Sequence, residues 1–350
     1  MINVWALKNE HPLYVLLRSA LSEIDIDYNL HFIGMDIASS ITNTGVRRQI
    51  ETIISAKEKF FIYLEEPNTF AGDVSAGREP DKQLVSIDKS FYDPIINNPN
   101  FLGFISHLRI TCSEMYKEYQ SICYHLPLFS EEKDFNRIQK RIDSIVDNNR
   151  PINIINWMTW GCPTRNSANW SSHAIADHYK MRGNGVSELI IKALLESNHN
   201  ITYTTRTHQD LSSRLDSFPN RHRINDICKF LEQDELDEVF YSRDIFMLHA
   251  DQIRSLSSIY AMSFGMPCVI FDTWGTEELF KDNFNAIVSK SDNSGIEDSL
   301  TRVSRLINNR EQLKVMSMNC INNFRIRHNK KEYIQRLARI IEISKEQNNG

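Results

Sequence analysis

The sequence predicts an α/β protein built from two halves, each a parallel sheet covered by helices. Strand-like and helix-like runs alternate along the chain, the pattern that winds a parallel sheet on both sides. The second half follows a β-α-β-α order. Its small or polar turns fall at strand C-terminal ends, where open α/β sheets bind ligands. At 350 residues the chain has room for two ordinary domains, and its 41% hydrophobic content supplies apolar side chains for two cores.

In the first half, INVWAL reads as a strand and HPLYVLLRSALSEI as a helix with apolar residues three and four apart. YNLHFIGMD is a second strand, VRRQIETIISAKE a second helix and KFFIYLEE a third strand. Residues 67–80, rich in Gly, Ser and Pro, read as a long loop, a type usually functional or mobile. QLVSID follows as a strand, YDPIINNPN as a turn, FLGFIS or RITCS as another strand, and SEMYKEYQSI as a helix. The charged helical run EEKDFNRIQKRIDSIVDNNRP holds the junction between the halves.

PINIINWMTWG opens the second half, followed by the helix GVSELIIKALLES and the strands NITYTTRT and RINDICKFL. DELDEVFYS is a helix, DIFMLHA an apolar strand, AMSFGMP the end of the next helix and CVIFD a buried strand. WGTEE and NFNAIV are turns, and the chain finishes in helices. These boundaries divide it into domains 1–140 and 141–330, with a terminal helix and tail at 331–350.

A net charge of −5 provides no global basic signature, so nucleic acid is not an expected partner. The six cysteines form no CxxC pair, which suits a reducing compartment and argues against a disulfide framework or zinc site; Cys268 is expected in the core. No apolar run reaches the length of a spanning helix, and MINVWALKNEHP lacks the features of a secretory signal. The expected location is the cytoplasm, with peripheral attachment at the inner face of the membrane left open. No DxD motif stands where a strand-loop would present it to a diphosphate, IDID at 24–27 preceding a strand.

The stretch from Ile227 to Val288 resembles the C-terminal half of GT-B-fold glycosyltransferases of the retaining family GT4. Asp244, Ala261, Met262, Gly265, Met266, Pro267, Gly275, Glu278 and Asn285 fall into step with that family's pattern. The resemblance implies two Rossmann-like domains with parallel sheets facing across a cleft. The first would bind an acceptor and the second a nucleotide-sugar, with the last helix crossing back to the first. It also implies transfer of a sugar to an acceptor hydroxyl with retention, without a metal and with no cofactor beyond a UDP- or GDP-linked co-substrate.

The family's paired glutamates, eight positions apart, fall here on Gln252 and Tyr260. By resemblance Gln252 would contact the donor sugar and Tyr260 the ribose, although a phenol cannot accept two hydrogen bonds as a carboxylate does. A diphosphate would sit at the helix start formed by Arg254, Ser255 and Leu256, where unpaired amides and the helix dipole favour an anion. An ordinary capped helix start is the bland alternative. Arg165, Lys180 and Arg182 are the cations available for the phosphates, Arg182 lying closest in sequence to the expected point; each is equally readable as a solvated loop charge. Gly275, Thr276 and Glu278 would meet the donor sugar, although acidic residues there also suit a first helical turn. On the acceptor side the candidates are Glu65 and Glu66 at a strand end, and His107; a strand-end turn and a structural histidine are the alternatives.

The function implied is a glycosyltransferase of cell-surface glycan synthesis, such as O-antigen or capsule, with a glycan or glycolipid acceptor. The altered glutamate positions motivate a second reading, a catalytically lapsed binding or partner protein. A glycosyltransferase acting on nucleic acid or protein is a third.

Overall fold

The computed structural model describes residues 2–5, 12–25, 29–35, 51, 55, 57–64, 89–107, 109, 112, 117–157, 184–206, 209–229, 231–249, 255–273 and 275–349. The chain divides into two compact units: residues 1–130 with 327–350, and residues 131–326. The second helix expected from the sequence, the 67–80 loop and the strand QLVSID lie largely or wholly outside the described residues.

In the first unit, β1 (Ile2–Trp5), β2 (Leu30–Met35), β3 (Lys59–Leu64), β4 (Phe101–Ser106) and β5 (Cys123–His125) form one sheet in that order, every described pairing parallel. Helix α1 (Pro12–Leu21) and the helix over Lys330–Asn349 cover one side. Tyr14, Leu17 and Leu21 of α1 meet Phe32, Phe61 and Tyr63 of the strands, and Tyr333, Leu337, Ile340 and Ile341 complete the cluster. Where the sequence suggests a turn at YDPIINNPN, the structure has helix α2 (Lys89–Ile96) with Pro94 inside it. Proline forfeits a helical hydrogen bond. The helix survives because it ends within a turn of Pro94, Ile95 is buried, and Asp93 accepts a hydrogen bond from Tyr119 Oη at 2.8 Å.

The second unit starts with α3 (Phe135–Asp143), capped by Asp134 accepting from the amides of Asn136 and Arg137. Then come β6 (Ile152–Asn156), α4 (Asn184–Glu196), β7 (Ile201–Arg206), β8 (Ile224–Ile227), α5 (Gln233–Tyr241), β9 (Ile245–Leu248), α6 (Ser255–Ser263), β10 (Cys268–Asp272), the single turn α7 (Thr276–Leu279) and β11 (Ala286–Lys290). Helices α8 (Asn293–Asn308) and α9 (Arg310–Arg327) follow, and α10 (Lys330–Asn349) ends the chain. A reciprocal capping box between Glu232 and Glu235 starts α5. Gly265 ends α6 at a φ of 65°, a left-handed conformation that a glycine adopts without strain.

The six strands run in the order β11-β10-β9-β6-β7-β8, all parallel. The winding reverses between β6 and β9, the mark of a doubly wound sheet. Each face is covered, so β9 and β10 are apolar nearly throughout. Ile154, Tyr203, Met247 and Val269 pack with α4 and α8 residues such as Ile191, Leu194, Val303 and Leu306. An aromatic group, Phe240, Phe246, Phe264 and Trp157, links β9 to α5 and α6. Cys268 is fully buried in β10.

At the N-terminal edge of this sheet, Asp244 is completely buried. Arg150 grips its two carboxylate oxygens at 2.8 and 2.7 Å, and the Asn153 amide donates to it at 2.8 Å. Arg141, also buried, donates to Asp244 at 3.2 Å and to the carbonyls of Arg243 and Phe264 at 2.6 and 2.5 Å. Arg141 thereby joins α3 to the end of α6 and the start of β9. This explains why α3, divided between domains by the sequence boundary at residue 140, lies wholly in the second unit. Removing one member of a buried ion network strands the other's charge and costs roughly 3–5 kcal/mol. Asp244→Asn is therefore expected to lower the urea-unfolding free energy by about that much, whereas Arg137→Ala, losing a solvent-exposed pair with Glu238, leaves the midpoint nearly unchanged. Equal effects of the two substitutions would contradict this ranking.

Candidate functional site

A doubly wound sheet binds ligands at the C-terminal ends of its strands, in the crevice where strand order reverses. In the second unit that crevice lies between β6 and β9. Asn156 ends β6, His249 follows β9, and Ser187 sits in the first turn of α4. All three are buried, with 0, 1 and 0% exposure. Asn156 Nδ2 donates to Ser187 Oγ at 3.0 Å, and Ser187 Oγ lies 3.0 Å from His249 Nδ1. Edge-on packing against Phe271, with centroids 4.8 Å apart, fixes the imidazole plane further. Burial pushes the His249 pKa down from 6.5 to about 3, so the ring is neutral at physiological pH.

Further buried polar atoms lie near the same sheet edge. Thr205 Oγ1 is at the end of β7, Thr273 Oγ1 just after β10, and Ser258 Oγ in the first half of α6. Among the described residues, these hydroxyls, His249 Nε2 and Asn156 Oδ1 have no hydrogen-bond partner. A buried polar atom left unpaired costs about 1–3 kcal/mol, and here several of them collect at one edge.

The residues expected from the sequence fare unevenly. Gln252, Arg254, Arg165, Lys180, Arg182, Glu65 and Glu66 lie outside the described residues. Ser255 and Leu256 are the first two residues of α6. Tyr260 is committed to α5: its hydroxyl donates to Asp237 and accepts from Gln233 at 3.0 Å, while Lys133 Nζ pairs with Asp237 at 2.6 Å and lies 5.0 Å from the ring. Burial and the Asp237 carboxylate raise the phenol pKa far above its usual value. Gly275 takes a left-handed φ of 81° as the N-cap of α7. Thr276 is turned inward, its Oγ1 accepting from the Thr273 amide at 2.9 Å and donating to the Phe271 carbonyl at 3.2 Å. The Thr276 and Glu278 amides also bond within the turn, so Thr276 closes this loop with its side chain and its amide. Glu278 is half-buried in α7, and His107 is buried immediately after β4, at a strand C-terminal end of the first unit.

Asn156, Ser187 and His249 escape a reading of the sequence because 31 and 62 residues separate the bonded pairs. The available signal is their position, two at strand ends and one in a helix-opening turn.

Two units with parallel sheets, the second doubly wound, are the architecture of the GT-B fold. The structure is similar to S. aureus TarM at 11% identity, over 94% of this chain and 58% of that one, with a TM-score of 0.58. It is similar to Anabaena HepE in complex with UDP at 10% identity, over 97% and 99% of the two chains, with a TM-score of 0.61. A glycosyltransferase from Rickettsia africae matches at 10% identity over 99% and 97%, with a TM-score of 0.60. The chain thus spans little more than half of TarM but nearly all of the other two. No protein-family model matches the sequence, and no curated protein matches it.

The neutral state of His249 has a pH consequence. An unfolded histidine takes up its proton near pH 6.5 and the folded one only near 3, so between these values the unfolded state holds more protons. This contribution destabilises the fold progressively as pH falls from 6.5 towards about 3. His249→Gln, with nothing to titrate, is expected to flatten the fall of the urea midpoint between pH 6.5 and 4.5. Parallel pH profiles for wild type and variant would show that His249 takes up its proton at the same pH in the folded and unfolded states.

Proposed function

We propose that the protein is a glycosyltransferase that moves a sugar from a nucleotide-sugar to an acceptor hydroxyl. The observation that carries this reading is the group of buried, unpaired polar atoms at the strand ends of the second unit, on a fold shared with glycosyltransferases. HepE binds UDP-glucose in its own structure, which makes a UDP-sugar the first donor to try. GDP-sugars are the second choice. The start of α6 cradles the diphosphate, Arg182 or a neighbouring cation neutralises it, and leaving-group charge is stabilised by fixed dipoles without a metal. Retention at the anomeric carbon and an acceptor on a cell-surface glycan or glycolipid rest on the resemblance between Asp244 and Asn285. A cytoplasmic location, peripheral at the membrane, belongs to the same reading; among the described residues no helix is long and apolar enough to cross a membrane.

One observation favours a catalytically lapsed donor-binding protein: Tyr260 is occupied by Asp237 and Gln233. Calorimetry with UDP-glucose, UDP-N-acetylglucosamine and GDP-mannose, paired with an assay for nucleotide release, separates the possibilities. Binding with turnover in the presence of a glycan acceptor is expected, and binding with no release under any condition supports the lapsed protein. Loss of a charge-assisted phosphate contact in Arg182→Ala is expected to weaken binding roughly 10- to 100-fold. A wild-type protein that binds none of these compounds is not a glycosyltransferase of this kind.

A further inference from the structure

We propose that His249, aligned by Ser187 and Asn156, donates a fixed hydrogen bond from Nε2–H to a hydroxyl oxygen of the donor sugar. The inference rests on the nucleotide-sugar reading above and adds to it a sugar-contacting residue.

Hydrogen-bond direction along the relay determines the tautomer. Asn156 Nδ2–H donates a hydrogen bond to Ser187 Oγ. The serine hydroxyl then has its own proton to give, and His249 Nδ1, 3.0 Å away, is the acceptor in reach. With Nδ1 accepting, the ring proton resides on Nε2. That nitrogen diverges from Ser187 across the ring, is buried, and has no partner among the described residues. Asn156 and Ser187 are thus positioning residues, and His249 is the group that meets the ligand. Its place beside the β6–β9 reversal is where a doubly wound sheet receives a ligand.

The unpaired atoms also indicate what is bound. His249 Nε2–H only donates, Asn156 Oδ1 only accepts, and the hydroxyls of Thr205, Thr273 and Ser258 do both. A fully ionised phosphate has no proton to offer Asn156 Oδ1. A sugar ring, whose hydroxyls donate and accept, satisfies both kinds of atom. The neutral imidazole suits an uncharged partner, and its donor is unchanged across the physiological pH range.

The test compares wild type, His249→Leu, His249→Gln and Ser187→Ala by calorimetry with UDP, GDP, UDP-glucose, UDP-N-acetylglucosamine and GDP-mannose. Thermal melts and circular dichroism check folding. For the nucleotide-sugar that wild type prefers, His249→Leu is expected to lose roughly tenfold or more in affinity while its nucleoside diphosphate binds within about twofold of wild type. His249→Gln, which retains an N–H near the same point, recovers part of the loss. Equal weakening for sugar and bare diphosphate places the donor on phosphate and overturns the sugar assignment, and no weakening overturns the inference while leaving donor binding intact. If wild type binds none of the five compounds, the glycosyltransferase reading falls and this inference with it. Long-range nitrogen NMR at neutral pH provides a readout independent of binding. The Nε2–H tautomer is expected in wild type, with a mixture in Ser187→Ala; an Nδ1–H tautomer in wild type overturns the relay. Should His249→Leu fail to fold, the Ser187→Ala affinity and tautomer decide the matter, an unchanged pair of values counting against it.

Discussion

The second unit depends on a carboxylate with no access to water. Asp244 sits immediately before β9, and everything around it is tied through its two oxygens. Arg150 approaches from the start of β6, Arg141 from α3, and the Asn153 amide from β6 itself. An ion network of this kind is weak evidence for stability, because desolvating its members costs several kcal/mol each. Its contribution is geometric. Arg141 also holds the carbonyls of Arg243 and Phe264, so α3, β6, β9 and the end of α6 are tied into one mutual arrangement. At the other end of β6 and β9 stand Asn156 and His249. The same two strands therefore carry an ionic clamp at one end and an uncharged, incompletely satisfied group at the other.

That division fits the chemistry proposed. A clamp built from charges tolerates little change in geometry, since any displacement strands a guanidinium. Uncharged donors and acceptors make a cheaper resting state for a ligand site, and a hydroxylated ligand can complete them. Keeping the imidazole neutral avoids placing a buried positive charge where the proposed sugar hydroxyl would sit.

Much of the architecture was legible in the sequence, and for identifiable reasons. CVIFD and DIFMLHA read as strands because both sheet faces are covered, so neither needs a polar face. AMSFGMP announced a helix end through Gly265, whose left-handed backbone the structure retains. YDPIINNPN misled because Pro94 signals a turn locally, whereas Ile95 and the Tyr119–Asp93 bond hold a helix. The candidate site was less legible. Tyr260 was read by analogy with a carboxylate, yet its hydroxyl answers to Asp237 on a separate helix. Thr276 lies in a motif that suggests ligand contact, but local backbone groups use its hydroxyl first. His249 is one of eleven histidines and carries no motif. Only the parallel pairing of β6 with β9 brings it near Asn156.

The position of α10 has a consequence for biosynthesis. Tyr333, Leu337, Ile340 and Ile341 are part of the first unit's core, and Gln347 reaches Tyr124 at 2.8 Å. The second unit is one continuous stretch of chain, while the first is interrupted by all of it. On the ribosome, residues 131–326 can therefore reach their native packing while the sheet made earlier still lacks a wall. Until α10 emerges, the apolar faces of Phe61, Leu102 and Ile105 await their cover, a period in which a chaperone has a defined surface to protect. The order of translation is thus the reverse of the order of completion.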